Sequence, residues 1–331
     1  MSDTLSIVVP PDLFGRLGRG AAPAAAFSPF GENGGGALDA DARGTLRRLS
    51  AVDGSGALAP RLTRACNVLA TARAAVRLEL TGGVGTIEYD QWFDPDGGPS
   101  VSLTPADDGI RLDDPAAGPA VVELVAQMLG GSRLQGAELE VELEATHALV
   151  LAALVDAHRL ELLRTAAGCR EIGPIAFDTT AIRSAVLEPG TGPQWLAAVL
   201  TDAHQVNPPD AADIDAALGA LVAAGHLDAS GGSVALAHAA RDLAERLPVV
   251  ERVLRLTAGR ERADGEIVRA GFTCVQAGAL DLLTLERVDD VVRIATTSAA
   301  TVVGHVTHFL THADALAELP APVAPGATAG R

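Results

Sequence analysis

The sequence contains no lysine, so every fixed positive charge is an arginine. This marks GC-rich coding, as in actinobacterium-like genomes, rather than a functional choice. Aromatic residues make up only 3% of the 331 positions, with a single tyrosine, so any core must be built from Ala, Val and Leu. There are three cysteines, Cys66, Cys169 and Cys274, far apart and with no CxxC pair. That count and spacing argue against a disulfide framework or a cysteine-built zinc site, and read as free thiols in a reducing cytoplasm. Long apolar runs are missing too. No stretch reaches the ~18 residues of a membrane span, and the best candidate, around 148–155, is broken at Asp156, His158 and Arg159. The opening MSDTLSIVVPPDLF lacks a basic start and a long apolar run, so no secretory signal is expected. These absences lead us to expect a cytoplasmic chain without a membrane partner.

Acid outnumbers base, 42 residues to 25, for a net charge of −17. A field of that sign repels phosphate backbones, so nucleic-acid binding is not expected. With 48% hydrophobic residues, the chain has apolar material for one large domain or two ordinary ones.

The main feature present is an internal echo. ALAPRLTRACNVLATA (57–72) reads as a helix leading into the strand-like AVRLEL (75–80). TIEYDQWF (86–93), SVSL (100–103) and GIRL (109–112) alternate as strands, and the helical PAVVELVAQMLG (119–130) follows. Later, SVALAHAARDLAERL (233–247) leads into ERVLRLT (251–257). EIVRAGFTCVQ (266–276), ALDLLTLERV (279–288), VVRI (291–294) and the helical SAATVVGHVTHFL (298–310) repeat the order. The two series lie about 176–182 positions apart, with Leu80 falling on Leu256 and Ile110, Arg111 and Leu112 on Val292, Arg293 and Ile294.

Between the series, LEVELE (139–144) feeds a long helix over 145–166, and GPQWLAAVLTDA (192–203) is apolar on one face. Pro208, Pro209 and Asp210 start a further helix that Gly225 ends, followed by HLDASGGSVAL, two short strands around a Ser-Gly-Gly turn. This is a winged-helix pattern near 192–236, with a weaker version in TLRRLSAVDGSGAL (45–58).

The expected fold class is therefore α+β, a pseudo-twofold duplicated unit of helix, antiparallel strands and helix around a central sheet with helical bundles. The expected segments are an N-terminal strand and helix (1–19), a linker (20–44), a first α+β half (45–138), a helical middle (139–209), a second α+β half (210–318) and a disordered tail (319–331).

No motif supplies a catalytic centre. His305, His308 and His312 share one helical face at metal-ligand spacing, yet no acidic or cysteine ligand adjoins them, and a polar helix C-terminus explains them. Asp156, His158 and Arg159 point in different directions around one turn, which suits a solvated or helix-packing role. The glycines from Thr81 to Thr86 precede a strand and lack a phosphate-loop lysine, so they read as a hairpin turn. Asp53 to Gly56 does not match a nucleophile elbow, and Asp94 to Gly98 is too short for a calcium loop. No catalytic residue, metal or cofactor is expected. Tyr89, Trp92 and Phe93 cluster beside an acidic turn in this aromatic-poor chain and are the candidate partner-binding anchors.

The segments 223–256 and 291–310, with their counterparts 57–80 and 109–130, resemble in layout, length and acidity the EspG family of ESX (type VII) secretion-associated proteins. That resemblance implies a cytosolic chaperone with a pseudo-twofold core, a central antiparallel sheet flanked by helical bundles, that binds secretion substrates of the PE–PPE type. The chain departs from the family in its longer helical middle and its winged-helix element, and no functional residue carries across. The expected function is a non-catalytic protein-binding adaptor or chaperone, with a protein partner such as a secretion substrate. The alternatives are a winged-helix scaffold or transcription regulator, and an enzyme whose site is assembled from distant residues.

Overall fold

The computed structural model describes residues 4–18, 25–30, 38–83, 85–130, 139–277, 281–288 and 290–311. The first part of the chain runs β1 (Leu5–Val9), α1 (Pro11–Leu17), α2 (Ala40–Arg48) and α3 (Pro60–Thr71). It continues through β2 (Ala74–Gly82), β3 (Gly85–Trp92), β4 (Val101–Ala106), β5 (Gly109–Asp114) and α4 (Gly118–Leu129). The second part opens with β6 (Glu140–Glu144), α5 (Ala145–Ala167), β7 (Phe177–Asp178), α6 (Thr179–Leu187) and α7 (Leu196–Ala198). A π-helical turn (Val199–Ala203) follows, then α8 (Ala211–Ala223), β8 (Leu227–Ser230), β9 (Ser233–Leu236) and α9 (His238–Arg246). It closes with β10 (Arg252–Glu261), β11 (Ile267–Ala277), β12 (Asp281–Val288), β13 (Val291–Thr297) and α10 (Ala299–Thr311).

The fold is α+β, built on a ten-stranded antiparallel sheet in the order β1-β5-β4-β3-β2-β10-β11-β12-β13-β6. The order reads the same from either edge, because five strands of one half face five of the other. At the centre, β2 pairs with β10, matching Leu80 with Leu254, Glu79 with Arg255 and Leu78 with Leu256. The sequence echo places Leu80 on Leu256, so the pseudo-twofold axis passes through the Glu79–Arg255 pair.

This symmetry redraws the expected segments. β6 occupies, beside β13, the place β1 occupies beside β5, and each leads directly into a helix, α1 or α5. The segment expected as a helical middle therefore begins with an edge strand and belongs to the second half. The strand and helix expected as a separate N-terminus belong to the first. The expected linker is not wholly a linker: α2 starts within it, and Phe30 packs on Phe14 with ring centroids 5.2 Å apart. The expected tail, 319–331, lies outside the described residues.

The winged-helix element extends beyond its expected bounds. β7, before α6, pairs with β9, and β9 with β8, giving the three-stranded order β7-β9-β8. Asp210 caps α8 by accepting from the amides of Ala212 and Asp213, and the wing turns at Gly231 and Gly232, both with positive φ. The first half keeps a reduced copy. Asp39 caps α2, and its wing is a single bridge between Val52 and Leu58. The backbone joints agree: Ala51 N–H donates to Leu46 O (2.8 Å) as His226 N–H does to Leu221 O (2.9 Å). Ala59 N–H donates to Ala51 O (2.9 Å) as Ala237 N–H does to His226 O (3.0 Å).

Strand alternation sorts the core between the two sheet faces. On one face Val76, Leu78, Leu80, Leu254 and Leu256 are buried beneath the paired helices α4 and α10, which contribute Val125, Leu129, Val302, Val306 and Leu310. The two halves cross-cap this pair. The buried Gln91 of β3 donates to Leu310 O of α10 (2.8 Å), and the buried Gln276 of β11 donates to Leu129 O of α4 (3.2 Å). Each satisfies a helix-end carbonyl of the opposite half. On the other face, separate cores lie at the two ends. One joins α1, α2 and α3 to the first half; the other joins α5 and its neighbours to β6 and β10 to β13. The middle of that face is left between two helical lobes.

Candidate functional site: a trough across the pseudo-twofold axis

The uncovered middle is a trough floored by the central strands. Its floor comes from the polar alternate positions, Arg77, Glu79 and Thr81 of β2 and Arg255 and Thr257 of β10. Clefts of about 890, 160, 340 and 190 Å³ follow one another along it and share walls. Thr81, Pro193 and Val253 join the first to the second; Ala203, Arg255 and Thr273 join the second to the third; Thr257 and Arg269 join the third to the last. The ten residues of β10 give it a length of about 33 Å.

Its clefts differ in chemistry. The largest cleft wraps round the end of the sheet beside the β2–β3 hairpin, with Ile87, Leu124 and Met128 from the α4 side and Pro193, Val250 and Val253 from the trough side. The 340 Å³ cleft has three arginines, Arg255, Arg269 and Arg287, with His204 and Thr273. One wall of this cleft is the end of the π-helical turn. Its terminal carbonyls are satisfied by arginines reaching across: Arg255 Nη2 donates to Ala203 O (3.3 Å), and Arg287 Nη1 to His204 O (2.6 Å) and Gln205 O (2.9 Å). His204 Nε2 lies 3.1 Å from the buried Thr273 Oγ1. Burial, followed by the charges of Arg255 and Arg287, holds the His204 ring down at about 4, so it is neutral near pH 7. Across the floor, Arg77 binds Asp90 through two hydrogen bonds, 2.7 and 2.9 Å.

The lobe behind this wall is fastened by a buried ion pair. Arg159 of α5, 2% exposed, donates to Asp156 Oδ1 (2.6 Å), to Gln194 O (3.0 Å) and to Leu247 O, and its guanidinium lies 5.5 Å from the Trp195 ring centre. Asp156 Oδ2 accepts from Ala197 N–H (2.9 Å). Burial lifts the Asp156 carboxyl to about 6, with Arg159 pulling the other way. Asp156 and Arg159 therefore do meet, because one helical turn brings positions three apart together. They act as a structural clamp, and the solvated alternative for them is corrected. His158 beside them is buried, and neither ring nitrogen has a hydrogen-bond partner among the described residues.

Of the expected partner anchors only Trp92 reaches the trough, where its edge lines the 190 Å³ cleft, and all three are buried. Tyr89, Trp92 and Phe93 are 1, 6 and 8% exposed. Tyr89 packs beneath α4 and α10 and donates to Gln91 Oε1 (2.7 Å), while Trp92 faces the opposite core and its Nε1 donates to Phe27 O (2.8 Å). The surface-anchor role is corrected to a packing role, since alternation drives these side chains into cores on both faces. Of the helical histidines, His305 and His308 are exposed and His312 lies outside the described residues. Thr81 and Thr86 close the β2–β3 turn, with hydroxyls 3.1 Å apart, at the rim of the apolar cleft. Asp53 and Asp94 each organise a turn by accepting a backbone amide two residues on. Among the described residues, no three His, Cys, Asp or Glu side chains gather as metal ligands, and no helix is long and apolar enough to cross a membrane.

The trough residues Arg255, Arg269, Arg287 and His204 belong to no motif. Their one sequence signal is charge at alternate positions of a central strand, as in ERVLRLT.

No family model and no curated protein sequence matches the chain. Among solved structures, the chain is similar to the Mycobacterium tuberculosis type VII secretion system chaperone EspG5 in complex with the PE25-PPE41 dimer, at 12% identity and a TM-score of 0.48, over 96% of this chain and 98% of that chain.

Proposed function

We propose that this chain is a protein-binding adaptor or chaperone that seats a segment of another protein in the trough. The observation carrying this reading is the trough itself. It is about 33 Å long, open along its length, apolar at one end and cationic further along. A groove of that length suits a polypeptide better than a small molecule, whose sites are compact and enclosed. The finer reading, a cytoplasmic chaperone for a type VII secretion substrate, rests on the layout of 57–80 with 109–130 and of 223–256 with 291–310. The winged-helix element serves this reading as scaffold. Helix α8, in the recognition position, buries Ile214, Ala217, Leu218 and Leu221, and carries acidic Asp213 and Asp215 in place of arginine.

The test is affinity capture of the tagged full chain from its native host, with and without Thr257→Trp, which fills the trough floor at a half-buried position. The expected result is one stoichiometric protein partner for the wild type and its loss for the variant. No stoichiometric partner, or equal capture by both, overturns the reading.

A further inference from the structure

The cationic cleft of the trough runs against the rest of the molecule. In a chain of net charge −17, the 340 Å³ cleft is lined by three arginines and by no aspartate or glutamate. The acids nearest two of them stand outside the lining, Glu79 at 3.7 Å from Arg255 and Asp290 at 3.7 Å from Arg287. Arg269 is exposed and makes no ion pair among the described residues.

The three arginines sit on adjacent strands, β10, β11 and β12, at successive levels. Arg255 is opposite Thr273, and Arg269, four residues before Thr273 on β11, is opposite Gly259. Glu286 is opposite Phe272, so Arg287 stands at the level between them. Each level is therefore about 7 Å from the next along the strands, the spacing of alternate side chains of an extended chain. Each strand crossed adds about 5 Å, so a segment that meets all three crosses the strands obliquely within reach of the long arginine side chains. Arg255 and Arg287 are tethered to the carbonyls of residues 203 to 205, so neither is free to swing onto one small anion with Arg269. The neutral His204 adds no charge to the cleft but offers a ring beside Thr273.

We infer that this cleft docks an acidic segment of the partner polypeptide, with carboxylates spaced along it meeting Arg255, Arg287 and Arg269 in turn. This rests on the adaptor reading above and gives it a chemical class of partner. Arginine forks match carboxylates in pairs of hydrogen bonds, and a row of them would set the direction in which the partner lies.

The test is fluorescence anisotropy on the full chain with a labelled peptide about eight residues long, glutamate alternating with serine, against the same peptide with glutamine. The expected result is binding of the glutamate peptide alone, weakening as salt rises, and an about tenfold loss in Arg269→Ala with less loss in Arg269→Lys. Arg269 has no described partner to lose, so circular dichroism should be unchanged. Equal binding of the glutamine peptide, or no effect of Arg269→Ala, overturns the inference. Full displacement by inorganic phosphate at the peptide's own concentration also overturns it, in favour of a small-anion site. The two proposals fail separately. Equal capture of the native partner by wild type and Arg269→Ala sinks acidic docking alone, whereas peptide binding with no captured partner sinks the adaptor reading alone.

Discussion

Replacing Arg159 with Met should be among the most damaging single changes in the second lobe. The guanidinium is 2% exposed, and it pairs with Asp156 while donating to the carbonyls of Gln194 and Leu247. Met fills a similar length but supplies no donor. The variant leaves a buried carboxylate without its counter-charge and two carbonyls without these donors, a loss of about 3–5 kcal/mol. The companion Asp156→Leu strands the arginine by a similar amount. The double variant removes both charges, so it should cost at least about 2 kcal/mol less than the sum of the singles. Urea unfolding of the four proteins measures this cycle. The Arg159→Met loss should also depend on pH. With the arginine gone, the folded Asp156 carboxyl, already raised by burial, takes up a proton that the unfolded chain, at 3.8, leaves in solution. Stability of the variant relative to wild type therefore recovers as pH falls from about 7.5 towards 5. Additive single losses, or a loss unchanged with pH, would refute the clamp. Because Gln194 and Ala197 lead into the π-helical turn that walls the trough, Arg159→Met should also weaken partner capture.

Other outcomes follow from the same geometry. Gln91→Leu strips the cap from Leu310 O and the acceptor from the Tyr89 hydroxyl, costing about 1–3 kcal/mol by thermal or urea unfolding. Of the three thiols, Cys66 and Cys274 are buried and pushed up to about 12, while Cys169 is exposed. A thiol reagent near neutral pH should therefore label one equivalent in the native protein and all three after denaturation. His204 is held at about 4 when folded against 6.5 when unfolded. The unfolded chain takes up the proton first on acidification, so stability should fall as pH drops from 6.5 towards 4, by up to about 3 kcal/mol. His204→Gln should show a shallower slope over that window.

The α+β class, the repeated strand order and the helix pair α4 and α10 were legible because they depend on local periodicity. Val76, Leu78 and Leu80 alternate with Arg77, Glu79 and Thr81, and Val302, Val306 and Leu310 follow a helical period. Capping aspartates and wing glycines are equally local, so the winged-helix pattern near 210–236 was readable from the residues that form it. The place of β6 was not. EVELE alternates as an edge strand does, but its partner β13 lies some 150 residues away, and nothing local says which edge it joins.

The trough was beyond reach for the same reason. Which face of a strand is covered depends on where the helical lobes settle, and that is set by cores assembled from residues far apart in the chain. Tyr89, Trp92 and Phe93 stood out by rarity, yet rarity does not distinguish an anchor from a packing residue; the sheet placed all three inside. By itself the sequence determined the composition, the acidity, the repeat and the local elements, because these are properties of neighbouring residues. Only the tertiary structure decided that Glu79 and Arg255 share the pseudo-twofold axis, that Gln91 and Gln276 cap each other's helices, and that three arginines line one cleft, because each needs pairings between strands distant in the chain.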